Sequence, residues 1–456
     1  MRQAVAGLVL ALALLAAACG GDSAERPAGR SITLWITENQ PERVRATREN
    51  VADFARRTGI RVRLVTLGDD ELAGKVAGAR RTKTLPDVMQ VGMADAHAYV
   101  RDGVLDPDAA QQTVNELGEE TFSARALSLL TSEGRVAAVP SDGWGQLLIY
   151  RRDLFAAAGL GVPVTLADVE RAARRLNRDG RAGITLATTA GDGFTAETFE
   201  HVALASGCQL VDDEGTVSLT SPGCRDAFAR YVRLARRYSP GGRQDVERTR
   251  DVYFAGRAAM VFWSPFLLDA MAGLRDEAVP TCPQCRRDPA YLARNSGLVG
   301  PLIGPDGEPA QYGTLGTWGI TAGDDVASAQ RLVKYLMSDG YLRWLALSPQ
   351  GKYPVRTGVP GDVERYVRGW AALESGVERR APLRRFYSTA SIDSLGEGAR
   401  SFRRWAFEVG EASLLGALSE RQPITRALAA AIAGDITPEE AARRSQQAVE
   451  RLRGPG

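Results

Sequence analysis

The stretch that most narrows what this 456-residue chain can fold into runs from residue 32 to residue 92. ITLWI at 32–36 reads as a strand, 41–58 as a helix carrying Val44, Val51, Phe54 and Ala55 on one face, and RVRLVTL at 61–67 as a second strand. A helix over 70–82 then leads to a third strand, PDVMQVG at 86–92. Strand, helix, strand, helix, strand is the rhythm of a parallel α/β domain, whose ligands gather at the carboxyl ends of its strands. Those ends here are Thr37-Glu38-Asn39 and Met93-Ala94-Asp95.

A second α/β pattern begins near residue 140. Thr165 with Asp168 makes a capping box ahead of Leu166, Val169, Ala173 and Leu176 at helical spacing, and a strand over 183–189 and a helix over 196–206 follow. From about residue 380 the chain reads as helical and Arg-rich. Its 44% hydrophobic and 25% charged residues are ordinary globular composition, which excludes disorder and collagen-like structure. Fifty-seven Lys plus Arg against 55 Asp plus Glu leave a formal charge of +2 without long blocks of one sign. No nucleic-acid partner is therefore expected, and a neutral ligand fits better.

The N-terminus bears on the compartment. Residues 3–18 carry no charge and run into Cys19-Gly20-Gly21-Asp22-Ser23, the pattern of a signal peptide over 1–18. Leu15-Ala16-Ala17-Ala18 before Cys19 resembles the lipobox of bacterial lipoproteins. That resemblance implies lipid on Cys19, a tether over 19–30, and anchoring to the outer face of the cell membrane. An ordinary secretory signal with a chance cysteine is the alternative. With Cys19 set aside, four of the five cysteines remain to pair outside the cytoplasm. Cys208 and Cys224 flank two short strands joined by an Asp212-Asp213-Glu214-Gly215 turn, so a Cys208–Cys224 disulfide is expected. Cys282-Pro-Gln-Cys285 suggests a local disulfide rather than a redox pair, since no βαβ unit precedes it. Zinc lacks ligands in a chain whose histidines are His97 and His201.

Five segments in order, YRRDLFAAAGLGVPVTLADVERAARRLN, GCQLVDDEGTVSLTSPGCRDAFARYVRLA, YFAGRAAMVFWSPFLLDAM, GPLIGPDGEP and GTWGITAGDDVASAQRLVKYLMS, resemble landmarks of the family 1 bacterial extracellular solute-binding proteins, the maltose-binding-protein type. Tyr-Arg-Arg-Asp before Leu-Phe, Gly207-Cys208 and the CPQC loop depart from that pattern. The resemblance implies a two-lobed periplasmic-binding-protein-like α/β fold (type II) with hinge crossings and a ligand cleft between the lobes. One lobe would be 31–139 plus 316–365, the other 140–315 plus 366–456. It further implies a monomer without cofactor or metal that binds a carbohydrate, a di- or oligosaccharide, and delivers it to ABC permease transmembrane subunits.

A sugar is held by directional hydrogen bonds and by aromatic rings under its C–H faces. Trp144 and Asp142 in Ser141-Asp142-Gly143-Trp144-Gly145, Trp263 and Ser264 after the AAM strand, Phe194 in Asp192-Gly193-Phe194, and Trp318 in the return crossing are candidates for that cleft. Glu38, Asn39 and Asp95 are candidate acceptors at strand ends, and Arg356 is a candidate in KYPVRTG. Core packing competes for each tryptophan, and a solvated loop carboxylate for each acid. Trp35, Trp344, Trp370 and Trp405 read as packing. Gly191-Asp192-Gly193-Phe194-Thr195-Ala196 mimics a dinucleotide fingerprint, but the acids twenty residues on fall in a hairpin turn. A secreted carbohydrate-active hydrolase and a sugar-sensing co-receptor are the rival functions. G-x-S-x-G and H-E-x-x-H are both absent from the sequence.

Overall fold

The computed structural model describes residues 30–453, so the signal peptide and Cys19 lie outside the described residues. The expected βαβαβ start is present as β1 (Ser31–Ile36), α1 (Pro41–Thr58), β2 (Arg61–Thr66), α2 (Asp69–Thr82) and β3 (Val88–Gly92). Phe54, fully buried, and Val51 and Val44 on α1 lie on its inner face, as the helical spacing requires. Gly59, at φ 73°, ends α1 in the left-handed region, where a residue without Cβ is least strained.

After α3 (Met93–Arg101), strand β4 (Val139–Gly145) joins the same sheet, as do β8 (Gly313–Ile320) and the short β9 (Tyr353–Pro354). The sheet order is β9-β4-β8-β3-β1-β2, parallel where β1 meets β2 and β3 and antiparallel around β8. A smaller antiparallel sheet is built from β5 (Leu147–Arg151) between β6 (Met260–Trp263) and β7 (Ser296–Val299). The chain crosses from the first sheet to the second at Gln146 and returns along Gln311-Tyr312 into β8. At that junction Gln146 N donates to the Tyr312 carbonyl, and Gln311 Nε2 donates to the Gln146 carbonyl.

Around the smaller sheet stand α4 (Leu166–Leu176), α5 (Gly193–Ala205), α6 (Pro222–Tyr238) and α7 (Val246–Phe254), followed by the C-terminal α8 (Ser413–Arg421), which packs chiefly on α3, and by α9 (Pro423–Ala433) and α10 (Pro438–Arg453), which pack on α6. The Thr165–Asp168 capping box forms in both directions. The stretch expected as a strand at 183–189 makes only isolated parallel bridges, Ala182↔Ala258 and Thr185↔Val261, beside the start of β6. Helix Arg365–Ala371 packs on Tyr341–Leu345 and β9, elements on the side of the larger sheet. Both disulfides are present, Cys208–Cys224 and Cys282–Cys285, and all four cysteines are buried. Among the described residues no helix is long and apolar enough to cross a membrane.

Candidate ligand cleft between the two sheets

The crossing strands β4 and β8 run side by side at the junction of the two sheets. Alternate strand residues share a face, so Asp142 and Trp144 project together from β4. Gly316 stands opposite Asp142 in the register, and a Cβ there would come within 3.2 Å of Asp142 Oδ2. Glycine thus leaves space for the carboxylate. Asp142 accepts from Ser141 Oγ at 2.8 Å and from the Trp344 indole N–H at 2.7 Å. Its other oxygen lies 3.6 Å from Lys352 Nζ.

Lys352 is one of only four lysines in the chain and is buried. Its ammonium lies 2.7 Å from Glu38 Oε1 and 4.3 Å from the centre of the Trp344 ring, a cation–π contact. Arg43, one turn into α1, reaches Glu38 Oε2 at 2.7 Å. Burial pushes the Glu38 carboxyl up, but the charges and hydrogen bonds of Lys352 and Arg43 outweigh it and hold it at about 2. Glu38 and Asp142 are therefore joined through one ammonium, the first at the end of β1 and the second on the crossing. Trp318, fully buried, packs on Trp344 at 4.6 Å.

Aromatic rings cluster on both sides of the crossing. Trp144 is half-buried, 5.8 Å from Tyr312 and 6.3 Å from Phe266, the latter edge-on. Phe266 lies flat against Gly351, where a Cβ would come within 2.3 Å of the ring. Trp263 at the end of β6 pairs with Phe194 at 4.6 Å, and Ser264 is partly exposed beside it. Asp192 caps α5 through the Thr195 N–H at 3.0 Å and so presents Phe194 on the first turn.

Beside Tyr312 lies a group with several polar side chains. A cavity of about 260 Å³ lies between Gly92–Asp95, the first turns of α5, Tyr312–Thr314 and the segment 404–425. Asp95 stands in the first turn of α3, where a carboxylate suits the helix dipole. Arg404 Nε donates to Glu200 Oε1 at 3.0 Å, and the guanidinium lies 4.7 Å over the Tyr312 ring. Burial raises the Glu197 carboxyl to about 7, with Arg404 and Tyr312 opposing it only in part. Near neutrality this carboxyl both donates and accepts hydrogen bonds. The cavity adjoins a wider hollow of about 820 Å³ that shares Asp95, Gly193, Ser419 and Gln422 with it.

Of the residues named from the sequence, Asp95 lines this cavity. Trp144 stands beside its Tyr312, Phe194 follows its Gly193 and carries Trp263 with it, and Glu38 and Asp142 are joined to each other through Lys352. Asn39 is exposed at the end of β1. Arg356 is not brought to the group: it is buried and donates to the carbonyls of Leu117 and Met337 and to Thr121 Oγ1. Sequence reasoning missed Glu197, Glu200, Tyr312, Arg404 and Lys352. Glu197 and Glu200, three apart on an otherwise apolar helix, carried a usable signal, as did the rarity of lysine. Nothing local to Arg404 pointed to Glu200, 204 residues away in sequence. His201, buried, accepts the Tyr312 backbone N–H through Nδ1, and His97 bonds the Leu129 carbonyl. Among the described residues no three His, Cys, Asp or Glu side chains are grouped to hold a metal.

The model of a family described as bacterial extracellular solute-binding protein matches residues 38–342. YcjN of Escherichia coli K12, which carries the name of an ABC transporter periplasmic-binding protein, is 26% identical over 362 residues, covering 77% of this chain and 79% of its own. The GacH receptor of Streptomyces glaucescens GLA.O, solved unliganded and with acarbose, superposes with a TM-score of 0.71 at 18% identity, covering 93% of this chain and 98% of its own. Maltose-bound MalE3 of T. maritima superposes at 0.68 with 19% identity, covering 92% and 99%.

Proposed function

The chain belongs to the bacterial extracellular solute-binding proteins, and from that premise we propose that it is the sugar-binding receptor of an ABC importer, closing two lobes on a di- or oligosaccharide and handing it to the permease subunits. The observation that carries this reading is the cavity itself. Asp95 comes to it from the larger sheet, Glu197 and Glu200 from α5 beside the smaller one, and Tyr312 from the crossing between them. Donors, acceptors and rings thus converge from both sides on one water-excludable space, as a neutral polyol requires. About 260 Å³ equals roughly nine water volumes, room for one sugar ring, and the adjoining hollow extends that room to further rings.

In this reading Trp144, Trp263 and Phe194 supply the apolar contacts, and Asp95, Ser264 and Asn39 join Glu197 and Arg404 as polar ones. Glu38, Asp142 and Trp318 shape the floor, and Arg356 braces the first lobe from outside the cleft. The lobes are 31–139 with 316–365 and 140–315 with 366–456, except that 140–145 and the helix Arg365–Ala371, which join or pack on the larger sheet, go with the first. A monomer anchored through lipid on Cys19 completes the proposal. The protein binds sugar without altering it, so incubated oligosaccharides return with no new reducing ends.

The decisive experiment is a thermal-shift screen against mono-, di- and oligosaccharides and polyols, followed by small-angle scattering with the best ligand. A ligand present at a hundred times its dissociation constant stabilises the fold by about 2.7 kcal/mol, and closure reduces the radius of gyration. If no carbohydrate or polyol shifts the melting temperature, the sugar assignment is overturned.

A further inference from the structure

A second, unassigned hollow lies at the far end of the smaller lobe. The chain turns at Arg178-Asp179-Gly180-Arg181, with Asp179 and Gly180 at φ 57° and 72°, and this pairs Arg178 with Arg181 across an antiparallel bridge. From that turn the stretch 182–185 runs parallel to 258–261, and β6 continues to Trp263. The turn therefore lies at the opposite end of these segments from Trp263, and its hollow shares no residue with the sugar cavity. Arg248 of α7, Arg257 and Ser239 close a hollow of about 380 Å³ around Arg178 and Arg181.

The charges in this hollow are not balanced by neighbours. Arg178 has Asp179 at 3.8 Å, but among the described residues no carboxylate pairs with the guanidinium of Arg181, Arg248 or Arg257. Two buried atoms facing this region, Arg181 Nε and Ser239 Oγ, have no hydrogen-bond partner among the described residues. Buried donors are ordinarily satisfied, and an orphaned pair beside clustered cations leaves room for an acceptor. Guanidinium forks match phosphate oxygens two at a time, and like charges held together are stabilised when an anion enters between them. The hollow equals roughly a dozen water volumes, larger than orthophosphate needs.

We infer that this arginine hollow binds a phosphate-bearing anion larger than orthophosphate, its chemistry shared by soluble polyphosphate groups and by the phosphodiester headgroup of an anionic lipid. The site is independent of the sugar cleft and holds whichever sugar the cleft takes. Its test uses the full chain and two probes: inorganic pyrophosphate by calorimetry in low salt, and vesicles of phosphatidylglycerol with phosphatidylcholine compared with phosphatidylcholine alone. The paired substitution Arg181→Gln with Arg257→Gln should weaken pyrophosphate binding at least tenfold, or abolish the excess partitioning onto phosphatidylglycerol vesicles. Arg181→Lys with Arg257→Lys, which keeps the charge and loses the fork, should fall between. Pyrophosphate binding lost in the Gln pair identifies a soluble phosphate, and a loss confined to anionic vesicles identifies the lipid. Wild type that binds neither probe, or a correctly melting Gln pair that binds both like wild type, overturns the inference.

Discussion

The ammonium of Lys352 lies 2.7 Å from the carboxylate of Glu38. It also lies 3.6 Å from Asp142, so a single buried cation ties the end of β1 to the crossing strand. Removing it leaves Glu38 with Arg43 as its one counter-charge and Asp142 with neutral donors alone. Lys352→Met should therefore destabilise the protein by about 3–5 kcal/mol, the range for breaking a buried ion pair from one side. The acid limb of stability reports the same contact. Glu38 is held near 2, below its ordinary value of 4.5, so its contribution is complete above about pH 4.5 and is lost as pH falls towards 2. Chemical denaturation of Lys352→Met should show a flatter dependence between those limits. An unchanged midpoint at neutral pH would refute the role given to Lys352.

Glu197 titrates with the opposite sign. Its carboxyl is raised from 4.5 to about 7, so between those values the native protein keeps a proton that the unfolded chain has lost. Stability from this group is complete below about pH 4.5 and declines as pH rises through 7. The shift corresponds to roughly 3 kcal/mol over that window. Burial also raises Asp269, to about 6, and adds to the same slope. Melting temperatures of wild type and Glu197→Gln from pH 4.5 to 8 separate the two, since the variant retains only the Asp269 part. Parallel curves would show that Glu197 ionises normally.

The Cys208–Cys224 bridge spans 16 residues between the end of α5 and the first turn of α6. In the chain-entropy model a loop of this size contributes about 3 kcal/mol. Cys282–Cys285 closes a separation of 3 and should contribute less. Cys208→Ala with Cys224→Ala should then lower the melting temperature more than the corresponding double substitution at 282 and 285, while both leave ligand affinity near wild type. The reverse order would remove the loop-length argument.

What the sequence disclosed divides along the range of the interactions. The start of the fold was legible because β1, α1 and β2 each carry their own periodicity, and Thr165 announces α4 through Asp168 three residues on. The strand expected at 183–189 was not regular because its pairing with β6 is limited to isolated bridges, which an apolar run cannot reveal. Among the candidate rings, Trp144 and Phe194 stand out by their small polar neighbours. Arg404 does not, because its partner Glu200 is brought to it only by packing of the C-terminal segment. Trp344 looked like helix packing and does pack on Trp318, yet its indole N–H also fixes Asp142.

Trp144 and Trp263 stand on the two sheets proposed to close on the ligand, one on β4 and one at the end of β6. Trp144 is half-buried between Tyr312 and Phe266, and Trp263 is mostly covered by Phe194. Replacing either by Ala takes away an aromatic contact worth about 0.5–1.5 kcal/mol beyond its buried area, so a loss of affinity of about tenfold or more is expected at each. Trp144 is the more accessible of the two and should also carry most of the fluorescence change on ligand addition, because closure alters its solvent contact. Calorimetry on both variants with the best ligand from the screen, alongside circular dichroism to establish that each is folded, tests this directly. If both folded variants bind with wild-type affinity, the rings serve hinge packing alone, and the ligand contacts centre on Glu197, Arg404 and Asp95 instead.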